Sequence, residues 1–351
     1  MDEQNRYEGF SPSVYGTQVA ALPDVFAPPS GAIAPPLRPL STGEILDRTF
    51  ALYKRRFWLF LAIGMLPALM VALSSAARML YLSLTHRIDM VRPGASPEAL
   101  ASVMDTTLRM QVYLLPASVL FLVAYGLSHA ATVYAVSRIS QGLEVTAGEA
   151  YQVTRVHWLR WTGIALRQFW SVVWPVLPVA AVLGFGVFAA RGNTVLVGLL
   201  SLGFALLLPA ALVFGVINLL RNALSMPAGA QENLGVNAAM RRSKALAAGR
   251  KGRIFLSLLL VYALQMVAGA LQLPFVWLAV TTRGAEHIVL QAAQLLISFV
   301  ATALVAPVAS IALTLLYVDE RVRREGYDIE VMMQHTFRPA PSSTPAGTYQ
   351  A

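Results

Sequence analysis

The side chains with chemistry to offer in this chain of 351 residues are few and scattered. A metal site or a proton-transfer pair needs His, Asp, Glu or Cys at ligand spacing, as in H-E-x-x-H. The five histidines, His86, His129, His157, His287 and His335, each stand alone, and there is no cysteine. Disulfides, thiolate metal sites and a cysteine nucleophile are therefore excluded. No G-x-S-x-G elbow and no phosphate-binding loop occurs. No pair of carboxylates is expected in or near the apolar segments for acid–base work. Gly184–Gly186 and Gly198–Gly203 lack the flanking strand and helix of a nucleotide fold and read as close helix packing. The expectation is a chain with no catalytic residue, no metal and no cofactor.

What the chain does offer is cations at the ends of apolar stretches. Lys54, Arg55 and Arg56 run directly into one stretch, and Arg241, Arg242, Lys244, Arg250, Lys251 and Arg253 crowd the approach to another. Lys and Arg so placed can meet the phosphates of anionic lipid headgroups. The net charge of +9 would also suit nucleic acid. No recognition helix and no aromatic-plus-basic strand pattern accompanies it, so nucleic acid is not an expected partner.

The elements that must position these groups are long. Six stretches, 57–77, 112–136, 169–190, 194–220, 254–280 and 288–318, each hold more than 20 residues without Lys, Arg, Asp or Glu. About 20 helical residues cross the hydrocarbon core of a bilayer. The hydrophobic fraction is 56%, the charged fraction 13% and the mean hydropathy +0.59, outside the range of soluble domains. In lipid every backbone amide must be paired within the chain, so such stretches form helices. The expected fold class is all-α: a polytopic membrane protein of about six transmembrane helices, with short interfacial amphipathic helices on the cytoplasmic side.

Charge placement orients it. With both ends inside, 21 of the 27 Lys and Arg lie in inner segments, and the triplets next to the first and fifth spans carry most weight because charges near helix ends direct insertion. The expected location is the bacterial cytoplasmic (inner) membrane with both termini cytoplasmic. Residues 1–37 and 336–351, rich in Pro and Ala, read as disordered tails around a membrane domain at 38–335. No basic n-region with a short apolar core opens the chain, so targeting is expected from the first span.

Between the tails one unit recurs three times, a short amphipathic helix followed by a transmembrane hairpin. In the first, Ser41 and Glu44 have capping-box spacing, and Leu46, Thr49, Phe50, Tyr53 and Phe57 share a face. The second starts near Thr146 and sets Tyr151 and Trp158 seven residues apart. The third carries a stripe of Val236, Ala239, Met240, Ser243, Leu246 and Ala247, and ends at Gly249. Such helices are expected in the headgroup layer with the apolar face down; the alternative is three connecting loops that contain helical turns.

Every span holds a proline: Pro67, Pro116, Pro175 with Pro178, Pro209, Pro274 and Pro307. They read as kinks, with broken-helix ion sites as the alternative. No ionised side chain lies within the six stretches, which removes the usual signature of a proton-coupled carrier. His129 reads as a hydrogen-bonded packing residue, with a proton relay as the alternative. Gln265 and Gln272 share one face and Gln291 and Gln294 another. In an antiparallel hairpin Gln272 and Gln294 come level, where a side-chain bond would contribute roughly 0.6–2 kcal/mol.

Three segments resemble a known family. They are LRPLSTGEILDRTFALYKRRFWLFLAIGMLP (37–67), AMRRSKALAAGRKGRIFLSLLL (239–260) and APVASIALTLLYVDERVRREGYDIEVM (306–332). They are similar to bacterial polytopic proteins of the glycerophosphoryl diester phosphodiesterase membrane-domain type, over about residues 37–332. The resemblance implies a membrane domain only. Nothing here resembles the metal-binding carboxylates and His-Arg start of the soluble enzyme that follows this domain in its namesakes, so phosphodiesterase activity is not implied. The functional expectation is a non-catalytic component of the bacterial envelope that contacts lipid or serves as an accessory scaffold, with anionic headgroups or an envelope protein as partner. The alternative is a carrier or channel for an apolar or lipid-like molecule.

Overall fold

The computed structural model describes residues 39–85, 97–189, 193–282 and 285–326. The two expected tails, together with His86, Arg191, Arg283 and His335, lie outside the described residues. Within them the chain is helical, with no strand: α1 Thr42–Arg55, α2 Phe57–Thr85, α3 Pro97–Ser140, α4 Ala147–Arg155, α5 Trp158–Val173, α6 Val176–Ala189, α7 Thr194–Asn222, α8 Ser225–Gln231, α9 Val236–Ala247, α10 Lys251–Ala270, α11 Leu273–Thr281 and α12 Ala285–Glu325.

Five of the described spans are single helices or nearly straight pairs long and apolar enough to cross a bilayer, and α5 with α6 makes a sixth pair bent by 49°. The chain's path decides between five and six. Leu40 is hydrogen-bonded to Asp319, so the chain enters the first span and leaves the last at one end of the bundle. Only an even number of crossings permits that, which makes the bent pair the sixth. The protein is an all-α polytopic membrane protein.

The third crossing departs from the expected continuous helix at 169–190. It begins eleven residues earlier, at Trp158, and breaks at Trp174–Pro175. Pro175 and Pro178 supply no amide hydrogen to the carbonyls of Ser171 and Trp174, four residues before each, and the rings crowd the same turn.

Proline is accommodated differently in α2. Pro67 leaves the Ile63 carbonyl without its i+4 donor. The Tyr151 hydroxyl donates to that carbonyl at 2.6 Å and Ser128 Oγ donates to it at 3.1 Å. Burial pushes the Tyr151 phenol up to about 12, so it is a donor throughout the physiological range. The next residue, Gly64, faces α12 at Ala303, the residue whose carbonyl Pro307 frees in the same way. A Cβ at Gly64 would run into the Ala303 carbonyl oxygen and come within 2.9 Å of Pro307 Cγ. Absence of a side chain therefore sets the α2–α12 approach.

The short amphipathic helices turn their apolar faces onto protein. In α1 the buried face is Ile45 and Thr49, while Phe50 is 36% exposed. In α9 the expected stripe is buried at Ala239, Met240, Ser243, Leu246 and Ala247. Ile45 and Leu246 join one core with Leu220, Leu224, Ile254, Leu316 and Tyr317. These helices lie on the ends of other helices, because a fully buried Ile or Leu contributes roughly 1.5–3 kcal/mol and protein covers them more completely than headgroups do. The Ser41–Glu44 capping box is present: Glu44 N–H donates to Ser41 Oγ at 3.2 Å, and Ser41 N–H donates to the Glu44 carboxylate at 2.7 Å.

Candidate functional site

The charge of the described chain is concentrated where α1, α4, α9, the start of α10 and the end of α12 converge. Among the described residues the opposite end carries Arg78 and Arg109 against Glu98, Asp105 and Glu286, which nearly balance.

At the centre of the charged end is a feature that corrects the expectation of no carboxylate pair near the apolar segments. Asp319 and Glu320 follow Val318 directly, and their side chains are 1% and 0% exposed. Arg253, at the start of α10, donates to Asp319 and, at 3.1 Å, to Glu320. Arg323 adds a donor to Asp319 at 2.9 Å. Both guanidiniums also donate to the Leu40 carbonyl, while the Leu40 amide donates to Asp319. Two buried carboxylates are thereby matched in charge by two guanidiniums, with the Leu40 amide as a further donor to Asp319, while Glu320 Oε2 accepts no hydrogen bond among the described residues and has Arg324 Nε 3.8 Å away.

A second network lies beside it. Arg242 makes paired hydrogen bonds to Glu325, at 2.5 and 2.6 Å, and to Glu232, at 2.8 and 2.9 Å. The Tyr317 hydroxyl donates to Glu232 at 2.5 Å. The hydrogen bonds it donates to Glu325, and after them those to Glu232, hold the Arg242 guanidinium above its ordinary range against the opposing effect of burial. Arg324 donates to the carbonyls of Ala245 and Ala248, closing the end of α9.

The nine basic residues expected to contact lipid therefore fall into two groups. Arg242 and Arg253 are committed to internal ion pairs, and Arg56 donates to Glu144 at 3.1 Å. Arg253 is the most enclosed of the three, with 12% of its side chain exposed, against 26% for Arg242 and 35% for Arg56. Lys54, Arg55, Arg241, Lys244, Arg250 and Lys251 remain exposed around the same end.

The intramembrane polar residues also divide. His129 is buried, as a packing residue is, with its ring edge-on to Tyr125 at 5.8 Å. Its expected hydrogen bond is absent among the described residues, since neither ring nitrogen has a partner. The neighbouring hydroxyls are committed elsewhere, Ser128 to Ile63 and Thr132 to Ser128. Gln272 donates to the Ala268 carbonyl of its own chain segment at 3.4 Å, at the break between α10 and α11. The expected Gln272–Gln294 bond is not among the described contacts. Gln265 is exposed, and Gln291 and Gln294 are half-buried.

Sequence reasoning missed Asp319, Glu320, Glu232, Glu325 and Tyr317. One signal was available: an acidic pair directly at the end of an apolar stretch must be matched by a cation from another element. Among the described residues no group of three or more His, Asp or Glu is placed to hold a metal ion.

Comparison with protein-family models, with curated proteins and with solved structures gives no match. Fold and site define a class, a helical multi-pass membrane protein whose helices are tied at one end by buried ion pairs.

Proposed function

We propose that this chain is a non-catalytic scaffold of a bacterial cytoplasmic membrane. Its charged end faces the cytoplasm and contacts anionic lipid. The observation that carries this reading is the division of the cations at that end. Arg242, Arg253 and Arg323 are used internally, while Lys54, Arg55, Arg241, Lys244, Arg250 and Lys251 point outward from the same rim. Basic groups near a membrane surface each contribute about 1 kcal/mol of attraction to anionic headgroups. Among the described residues the opposite end nearly balances its cations with acids, which accords with the excess of Lys and Arg on the inner side of membrane proteins. The buried ion pairs suit a scaffold, since they hold five elements in one arrangement.

The test is lipid selectivity of the purified protein. A variant carrying Lys54→Gln, Arg55→Gln, Arg241→Gln, Arg250→Gln and Lys251→Gln, placed in nanodiscs of mixed phosphatidylglycerol and phosphatidylcholine, should lose the enrichment of phosphatidylglycerol around the protein. Unchanged enrichment, with thermal stability preserved, would remove the basis of the proposal.

A further inference from the structure

On the flank of α5 and α7 an aromatic contact lines up with two arginines. The Trp174 and Phe214 rings meet edge to face, 6.1 Å apart at 86°. Both are open to the outside, 46% and 44% exposed. Arg167 lies seven residues before Trp174, and Arg221 seven residues after Phe214. Seven residues make two helical turns, so each arginine stands over its aromatic, about 10 Å nearer the charged end.

The pairing of these antiparallel helices fixes the same side independently. The Gln168 amide donates to the Asn222 carbonyl at 2.8 Å, and the Asn222 amide donates to Ser171 Oγ at 2.9 Å. Arg167 and Arg221 each precede one of these contact positions by one residue. On antiparallel helices a step of about 100° back on both turns both side chains to one flank.

Helix α9 closes the top. Ser243 Oγ donates to the Arg221 carbonyl at 2.9 Å and accepts from the Leu224 amide at 3.1 Å. Arg242 turns toward Glu325 of α12, which sends Lys244, about 200° round the helix, to the side away from α12. Arg167 and Lys244 are exposed and Arg221 is half-buried. None of the three has a carboxylate partner among the described residues; Glu232, the nearest acid in sequence to Arg221 and Lys244, is taken by Arg242.

We propose that this flank is a binding site for a single anionic glycerophospholipid. Its phosphate sits among Arg167, Arg221 and Lys244, and its acyl chains run down over Trp174 and Phe214. A guanidinium pair with an ammonium matches a phosphodiester. The aromatic rung two turns deeper has no use for a free phosphate and selects a ligand with a hydrocarbon tail. This rests on the lipid-contacting reading, but it names one retained molecule rather than a diffuse preference of the rim.

The test is native mass spectrometry of the detergent-purified protein with added phosphatidylglycerol or phosphatidylcholine. Wild type should keep one phosphatidylglycerol under activation that strips phosphatidylcholine. Arg167→Gln with Arg221→Gln should weaken its retention about tenfold or more. Millimolar inorganic phosphate should leave it in place. Trp174→Leu with Phe214→Leu provides a second variant that leaves the charges intact and should shorten retention. Thermal unfolding in phosphatidylcholine alone checks that each variant is folded. The five-residue rim variant should keep this lipid while losing bulk enrichment, so the two ideas fail separately. Wild-type retention by either folded double variant would overturn the site, and displacement by phosphate would replace the lipid with a soluble anion.

Discussion

The backbone amide of Leu40 donates to Asp319 Oδ1 at 2.5 Å, joining residues 279 positions apart. Because Arg253 and Arg323 both donate to the carbonyl of that same Leu40, the residue before the α1 cap is held through both sides of its peptide backbone. The segment leading into the first crossing, the start of the fifth and the end of the sixth thus share one polar junction. Its carboxylates are sealed from water, so its strength depends on how each charge is paired rather than on the number of charges.

Removing one partner should show this. Arg253→Met is expected to destabilise the protein by about 3–5 kcal/mol, the usual consequence of leaving a buried carboxylate unmatched. Arg253→Met with Glu320→Gln should recover part of that loss, because one fewer charge is stranded. Reversible unfolding in mixed micelles measures both. If the double variant were as unstable as Arg253→Met alone, Glu320 would have no share in the junction.

The hydroxyls on the Ile63 carbonyl give a second prediction. Ser128→Ala with Tyr151→Phe leaves that carbonyl unpaired and should cost roughly 1–3 kcal/mol. Pro67→Ala restores an amide donor four residues on, so the same pair of changes should cost much less in its background. Equal costs in both backgrounds would mean that the hydroxyls act through packing alone.

Some of this was open to sequence reasoning and some was closed to it. The Ser41–Glu44 box was legible because both partners lie within one turn. So was the α9 stripe, as a periodicity, although what covers it was not, since Leu220, Leu316 and Tyr317 come from elsewhere in the chain. Arg253 and Asp319 are 66 residues apart, and no local rule pairs them. Read alone, Arg253 has the same appearance as its exposed neighbour Lys251. The break in the third crossing was half visible: Pro175 and Pro178 announced it, but the helical start at Trp158 depended on Trp161, Ile164 and Ala165 finding Ala130, Val133 and Met226.

Gly64 supplies a third test. Gly64→Ala places a methyl group against the Ala303 carbonyl oxygen, which as backbone cannot swing aside. The expected loss is about 1–3 kcal/mol from overpacking at the α2–α12 approach. Gly148→Ala is the control: space at Gly148 is open and it lies in the first turn of α4, so the change should be neutral or slightly stabilising. Similar stabilities for the two variants would show that α12 can move away from α2 freely.

The orientation proposed for the charged end can be read in intact cells, and the absence of native cysteine makes the experiment direct. Lys251 and Glu286 are both exposed and lie at opposite ends of the hairpin formed by α10, α11 and α12. With the charged end in the cytoplasm, Glu286→Cys should react with a membrane-impermeant maleimide added to whole cells. Lys251→Cys should react only after lysis. The geometry makes the two positions mutually exclusive, because α10 with α11 crosses the bilayer once between them. Labelling of Lys251→Cys from outside, with Glu286→Cys protected, would invert the molecule. The exposed cations would then face a leaflet where the attraction to anionic lipid described for the cytoplasmic surface no longer applies.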